Sequence, residues 1–167
     1  ASIRTAAENP GYALIAMITC WILTEMAIAD AKYMIVPDQL IILLMIAAVG
    51  FVPYQDRGPF EGVWGGLIGF SVMLVIGILS KIIYRREGLG GGDIKLFGAL
   101  GLCLGTDGIL AVFVLSTFIC AIHLAWLLVT KKIKPRQQRP LIPYVAVSAA
   151  IYLVILHQMS YNIMVYI

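Results

Sequence analysis

The sequence predicts an all-α polytopic membrane protein of about six helices, organised as a single embedded domain over residues 1–167. Three observations lead there. Apolar residues make up 61% of the chain and charged residues only 13%, about half the charge of an ordinary soluble domain. A chain this short cannot hide so much apolar surface in its own interior, so its solvent is largely lipid. The apolar residues also fall into six runs, and the basic residues gather in alternate connections between them.

The runs are Gly11–Ala29, Gln39–Val52, Trp64–Tyr84, Ile94–Gly105, Ile109–Val129 and Leu141–Leu156. The segment before the first, Ala1 to Pro10, holds Arg4 and Glu8 and no apolar centre, unlike a secretory signal. The third and fifth runs have the roughly 20 residues that cross a bilayer as a helix. The second and fourth are shorter, and are expected to be tilted or sheltered by neighbours. Gly65-Gly66 in the third and Gly98–Gly101 in the fourth read as helix-packing contacts, since small residues let helices approach closely in lipid. Cys20, Cys103 and Cys120 all stand in apolar runs with no C-x-x-C pair, which reads as small buried hydrophobes rather than a metal or redox site.

Lysine and arginine set the orientation. Lys32, Lys81, Arg85, Arg86, Lys95 and the run KKIKPRQQR fall on one side, while only Arg4 and Arg57 fall on the other. The basic side is expected to be cytoplasmic, with both termini outside. The basic run reads as a topogenic, lipid-facing loop. Nothing aromatic interleaves it, so no nucleic-acid partner is expected.

The connections on the basic side carry the chemistry. The first reads IADAKYMIVPDQL, with Asp30 and Asp38 eight residues apart. The second reads EGLGGGDIKL and carries Asp93. Asp30 falls where the first helix leaves the membrane and Asp93 where the fourth enters, so both lie at one depth on one face. Two nearby carboxylates share a proton. The ionised one takes a proton from water as the water attacks a carbonyl, and the protonated one supports the carbonyl oxygen. That chemistry needs no metal and no cofactor. Gly90, Gly91 and Gly92 leave room for an extended peptide beside Asp93 and permit positive φ.

Plainer roles stand beside these. Asp38, after Pro37, reads as an N-cap, and Asp93 equally suits a cap after a glycine loop. Asp30 ends a helix, where the dipole disfavours an anion. It reads either as an interfacial acid or as one of the pair. On the same grounds Asp93 is expected to be the ionised partner and Asp30 the protonated one. Glu25 lies about one and a half turns below Asp30 and either tunes the site or pairs elsewhere. His123 reads as a hydrogen-bonded interior residue and His157 as interfacial. Ser116 and Thr117 have no base on their helix, which leaves a serine nucleophile without support.

The joint pattern D-x7-D with Pro37 before the second Asp, then Glu87-Gly88-x-Gly90-x-Gly92-Asp93-x-Lys95-Leu96, resembles the prepilin peptidases, the bacterial type IV leader peptidases of the GxGD aspartyl protease group. Ile142-Pro143 resembles the element that opens the last helices of that family. The resemblance covers roughly Gly11 to Leu156. It implies that Asp30 and Asp93 are the catalytic pair, with Asp38, Glu87, Gly90, Gly92 and Lys95 supporting the motif. It implies an enzyme of a bacterial inner membrane, acting at the cytoplasmic face on a prepilin or pseudopilin with a short basic leader. The cut falls at the end of the leader, commonly after glycine. Many members also carry an N-terminal region with paired C-x-x-C motifs that methylates the new N-terminus. No such motif stands in these residues, and no methyltransferase activity is assigned to them. Two other readings remain: a presenilin-like intramembrane protease, which would favour a P-A-L tripeptide absent here, and a non-enzymatic transport or assembly subunit whose acids line a path across the membrane.

Overall fold

The computed structural model describes residues 10–55, 58, 60–84, 90–130 and 140–156. Among these, all regular structure is helical. Helix α1 spans Pro10–Tyr33. Helix α2 spans Asp38–Phe51 and ends in a 3-10 turn, Val52–Tyr54. Helix α3 spans Glu61–Tyr84, α4 spans Gly91–Val129, and α5 spans Ile142–Ile151 before a π-helical turn, Tyr152–Leu156. Glu87, Gly88, Arg85, Arg86, the basic run 131–139 and His157 lie outside the described residues.

Helix α1 starts on Pro10, whose missing N–H costs nothing at a first helical position. It ends where Met34 turns left-handed, at φ 52, and donates its N–H to Asp30 O at 2.9 Å. Asp30 therefore sits within the last turn of α1, which runs four residues beyond the apolar stretch that ends at Ala29. Pro37 then disfavours helix at Val36, and α2 begins at Asp38.

Helix α4 is a hairpin. Gly105 stands at φ 71 and ψ −173 inside it, a conformation that glycine reaches without penalty. The rings of Phe97 and Phe113 lie 6.1 Å apart, whereas sixteen residues along a straight helix would separate them by about 24 Å. The chain doubles back at Gly105, where the fourth predicted run ends. The two limbs, 91–104 and 106–129, correspond to the fourth and fifth predicted runs.

Helix α3 runs antiparallel to the first limb across a face of glycine. A Cβ on Gly62 would stand 2.5 Å from Leu102 O, one on Gly65 2.5 Å from Gly101 O, and one on Gly69 2.5 Å from Phe97 O. Lipid gives apolar side chains no reason to prefer one another over acyl chains, so close backbone packing holds such helices together. The packing role expected of Gly65-Gly66 and Gly98–Gly101 is what the structure shows.

The interior is built from Met26, Leu44, Leu96, Leu100, Val112 and Val145, all fully buried. Cys103 is buried, Cys20 and Cys120 half-buried, and all three are free thiols. Outside, Met17, Trp21, Ile82, Ile122 and Trp126 are exposed. In water this surface would be a liability, but in lipid it is the solvent-facing side. Helices α1, α3 and α4 are long and apolar enough to cross a bilayer. The alternation of directions brings the end of α1, the start of α2, the end of α3, the start of α4 and the start of α5 to one end of the bundle.

Candidate active site

Asp30 projects from α1 and is only 7% exposed. Its Oδ2 accepts the N–H of Ile142 at 3.1 Å, and the N–H of Leu141 lies near the same carboxylate. The reason lies in the first turn of α5. Pro143 has no N–H to offer. The N–H groups of Tyr144 and Val145 both reach Leu141 O, at 3.1 and 3.3 Å. Ile142 is left with a donor that the helix cannot satisfy, and a carboxylate from another helix satisfies it. Asp30 thus caps α5 from across the bundle.

Asp93 is the third residue of α4 and half-buried. Its N–H donates to Gly90 O at 3.1 Å, and its carboxylate lies near the Gly90 N–H at the same helix mouth. Asp30 and Asp93 lie close enough to repel one another. The structure therefore brings together the two acids that the sequence singled out. Both carboxylates meet a helix N-terminus, Asp93 that of its own helix and Asp30 that of α5.

The glycines divide their work differently from expectation. A Cβ on Gly92 would lie 2.7 Å from both Cβ and Cγ2 of Val36, so Gly92 makes room for this chain's own first connection. Among the described residues Gly91 has nothing within 4 Å of such a Cβ, and Gly90 meets only Asp93 Oδ2 at 3.7 Å. None of the three has a positive φ. Asp38 does not cap α2. Pro37 holds the cap position with no side-chain bond, and Asp38 pairs with Lys95 Nζ at 2.9 Å. The connection between α1 and α2 is thus held to the mouth of α4 twice, by Val36 on Gly92 and by Asp38 on Lys95.

Residues 17–125 match the type IV leader peptidase family. The chain belongs to that family. It is 30% identical over 152 residues to the prepilin leader peptidase/N-methyltransferase of Aeromonas salmonicida, covering 87% of this chain and 50% of the relative. It is 29% identical over 136 residues to that of Bacillus subtilis, covering 80% and 52%, and 32% identical over 151 residues to that of Dickeya chrysanthemi, covering 88% and 53%. The chain spans about half the length of these curated relatives. No solved structure matches it. The stretch matched to the leader peptidase family includes Asp30, Asp38 and Asp93, while Ile142 lies beyond it.

Other candidates fall away from the leader peptidase motif. Glu25 is exposed on the outer face of α1 rather than turned to the pair. Ser116 Oγ and Thr117 Oγ1 both donate to Phe113 O, at 3.0 and 2.8 Å. His123 is exposed rather than interior, and its Nδ1 shares a 2.9 Å hydrogen bond with the Tyr144 hydroxyl. A polar cavity lined by Tyr12, Tyr54, Gln55, Glu61, Asp107 and Tyr152 lies at the opposite end of the bundle. There Gln55 bridges the backbone, donating to Leu102 O and accepting from Gly62 N. Among the described residues no group of three His, Cys, Asp or Glu side chains is placed to hold a metal. Sequence reasoning missed the backbone donor of Ile142. Pro143 signals a helix start there, but nothing local names the partner.

Proposed function

We propose that the chain is a membrane aspartyl endopeptidase that removes the short basic leader from type IV prepilins or pseudopilins at the cytoplasmic face of a bacterial inner membrane. The observation that carries the proposal is the meeting of Asp30 and Asp93, from two distant connections, at one end of the bundle. One carboxylate is ionised and takes a proton from water as the oxygen attacks the peptide carbon. The other is protonated and donates to the carbonyl oxygen as it gains charge. Collapse of the tetrahedral intermediate breaks the C–N bond, and the amine leaves with a proton from the pair. Asp30 is held by the backbone N–H of Ile142. The open backbone at Gly90 and Gly91 leaves space for a peptide beside Asp93.

The family supports this substrate class, since the relatives are prepilin leader peptidases by name. Lys32, Lys81 and Lys95 belong to the same end as the acids, which agrees with a cytoplasmic site under the positive-inside rule. A proton or ion path would need acids spread across the membrane, and Asp30 and Asp93 share one end. The test is incubation of the purified protein with a prepilin carrying a basic leader. A shortened product is expected, and Asp30→Asn and Asp93→Asn should each abolish it while the protein still accumulates in the membrane. Absence of product, or full activity in either variant, overturns the proposal.

A further inference from the structure

The N–H that holds Asp30 is only as well placed as the first turn of α5, and the described structure shows how that turn is fixed. On one side Ile142 and Val145 are fully buried in the core, and α5 packs against α1. Such apolar contacts resist separation but are weakly directional. On the other side Tyr144 reaches the second limb of α4. Its hydroxyl and His123 Nδ1 share a hydrogen bond of 2.9 Å, and the two rings meet edge to face at 5.6 Å between centroids. Tyr144 stands two residues after Ile142, the donor to Asp30. A small rotation or slide of α5 would carry that donor away from the carboxylate. A directional bond on the same turn opposes the slide.

We infer that Tyr144 and His123 are a positioning pair for Asp30: their hydrogen bond fixes the first turn of α5, and that turn orients the carboxylate through the N–H of Ile142. The inference rests on the reading of Asp30 as one of the two reacting acids. Neither side chain touches the reacting atoms in this scheme. Their effect passes through the backbone of α5, so it belongs to the chemical step rather than to substrate binding. The pair also gives one ring nitrogen of His123, an exposed polar residue on an apolar limb, a partner in the phenol.

The experiment compares the parent with Tyr144→Phe, His123→Ala and His123→Gln, with two readouts. The first is cleavage of a prepilin substrate, separated into kcat and KM. The second is the carboxyl infrared band of Asp30, assigned by difference against Asp30→Asn, which needs no turnover. Tyr144→Phe keeps the ring and its packing, and a thermal melt checks that the fold survives. Loss of one orienting hydrogen bond should lower kcat by about threefold to tenfold and shift the Asp30 band, with KM unchanged. His123→Gln, whose amide can still meet the phenol, should recover most of both. Tyr144→Phe combined with His123→Ala should be no worse than His123→Ala alone. A normal kcat with an unmoved band in Tyr144→Phe overturns the inference, as does simple additivity of the two losses. Failure of the parent to cleave any prepilin would sink the proposed function, while the band comparison would still decide whether the pair positions Asp30.

Discussion

Adding one methyl group at Gly92 tests how the two halves of the candidate site are joined. In Gly92→Ala the new Cβ would stand 2.7 Å from Cβ and Cγ2 of Val36. Carbon atoms pack at about 3.5–4.0 Å, so the connection or the mouth of α4 must yield by about 1 Å. Overpacking of this kind costs about 1–3 kcal/mol, which the rest of the bundle should bear. The catalytic consequence is larger. Asp93 is the next residue, and a displacement of about 1 Å in a reacting group costs about a hundredfold in rate. The expected result is a protein that accumulates normally and cleaves prepilin about a hundredfold more slowly. The decisive arm is the size swap, Gly92→Ala with Val36→Gly, which removes the opposing Cβ. It should return turnover to within about tenfold of the parent, since only the displacement has been relieved. If Gly92→Ala cleaves normally, the contact does not set the site. If the swap fails to recover while the fold is intact, the space above Gly92 belongs to the substrate rather than to Val36.

Other outcomes follow from the same geometry. Asp38→Asn should keep most cleavage activity, because the Asp38–Lys95 pair is 68% and 54% exposed at its two side chains, and such pairs contribute about 0–1 kcal/mol. Gly65→Ala should lower the melting temperature in detergent, since its Cβ meets the backbone of Gly101 and Gly105. By contrast Gly91→Ala, which meets nothing within 4 Å among the described residues, should leave the melt unchanged. EDTA should not inhibit prepilin cleavage, because the proposed chemistry uses two carboxylates and water. Inhibition reversed by zinc would refute that chemistry.

The fold was legible wherever one physical signal dominated. Apolar runs marked the helices because lipid leaves the backbone no alternative to internal hydrogen bonding. The fourth apolar run ended at Gly105, where the folded chain turns the α4 hairpin at a φ that few other residues adopt. The candidate pair was legible because Asp30 and Asp93 stand beside helix ends on the same side of alternating spans. What stayed hidden depended on pairwise packing between distant segments. Gly92 reads as a gap in any sequence, and only the folded chain shows Val36 filling it. Asp38 after Pro37 has the local form of a cap, yet its carboxylate is drawn to Lys95 on another helix. The dipole argument for which acid holds the proton was incomplete for a similar reason. It weighed each aspartate against its own helix, and the helix that matters most to Asp30 begins at Ile142.

That last contact has a consequence for the order in which the protein is made. Asp30 and the N–H that meets it are 112 residues apart in the chain. The first acid leaves the ribosome with α1, and its neighbour Asp93 follows with α4. Until Ile142 has been synthesised and threaded into place, the Asp30 carboxylate lacks the backbone group that orients it. Under the proposed function, a half-made chain already carries both reacting acids but cannot present them in their final arrangement. The site closes only when α5 has arrived, so the capacity to cut peptides would switch on only once the bundle around it is assembled.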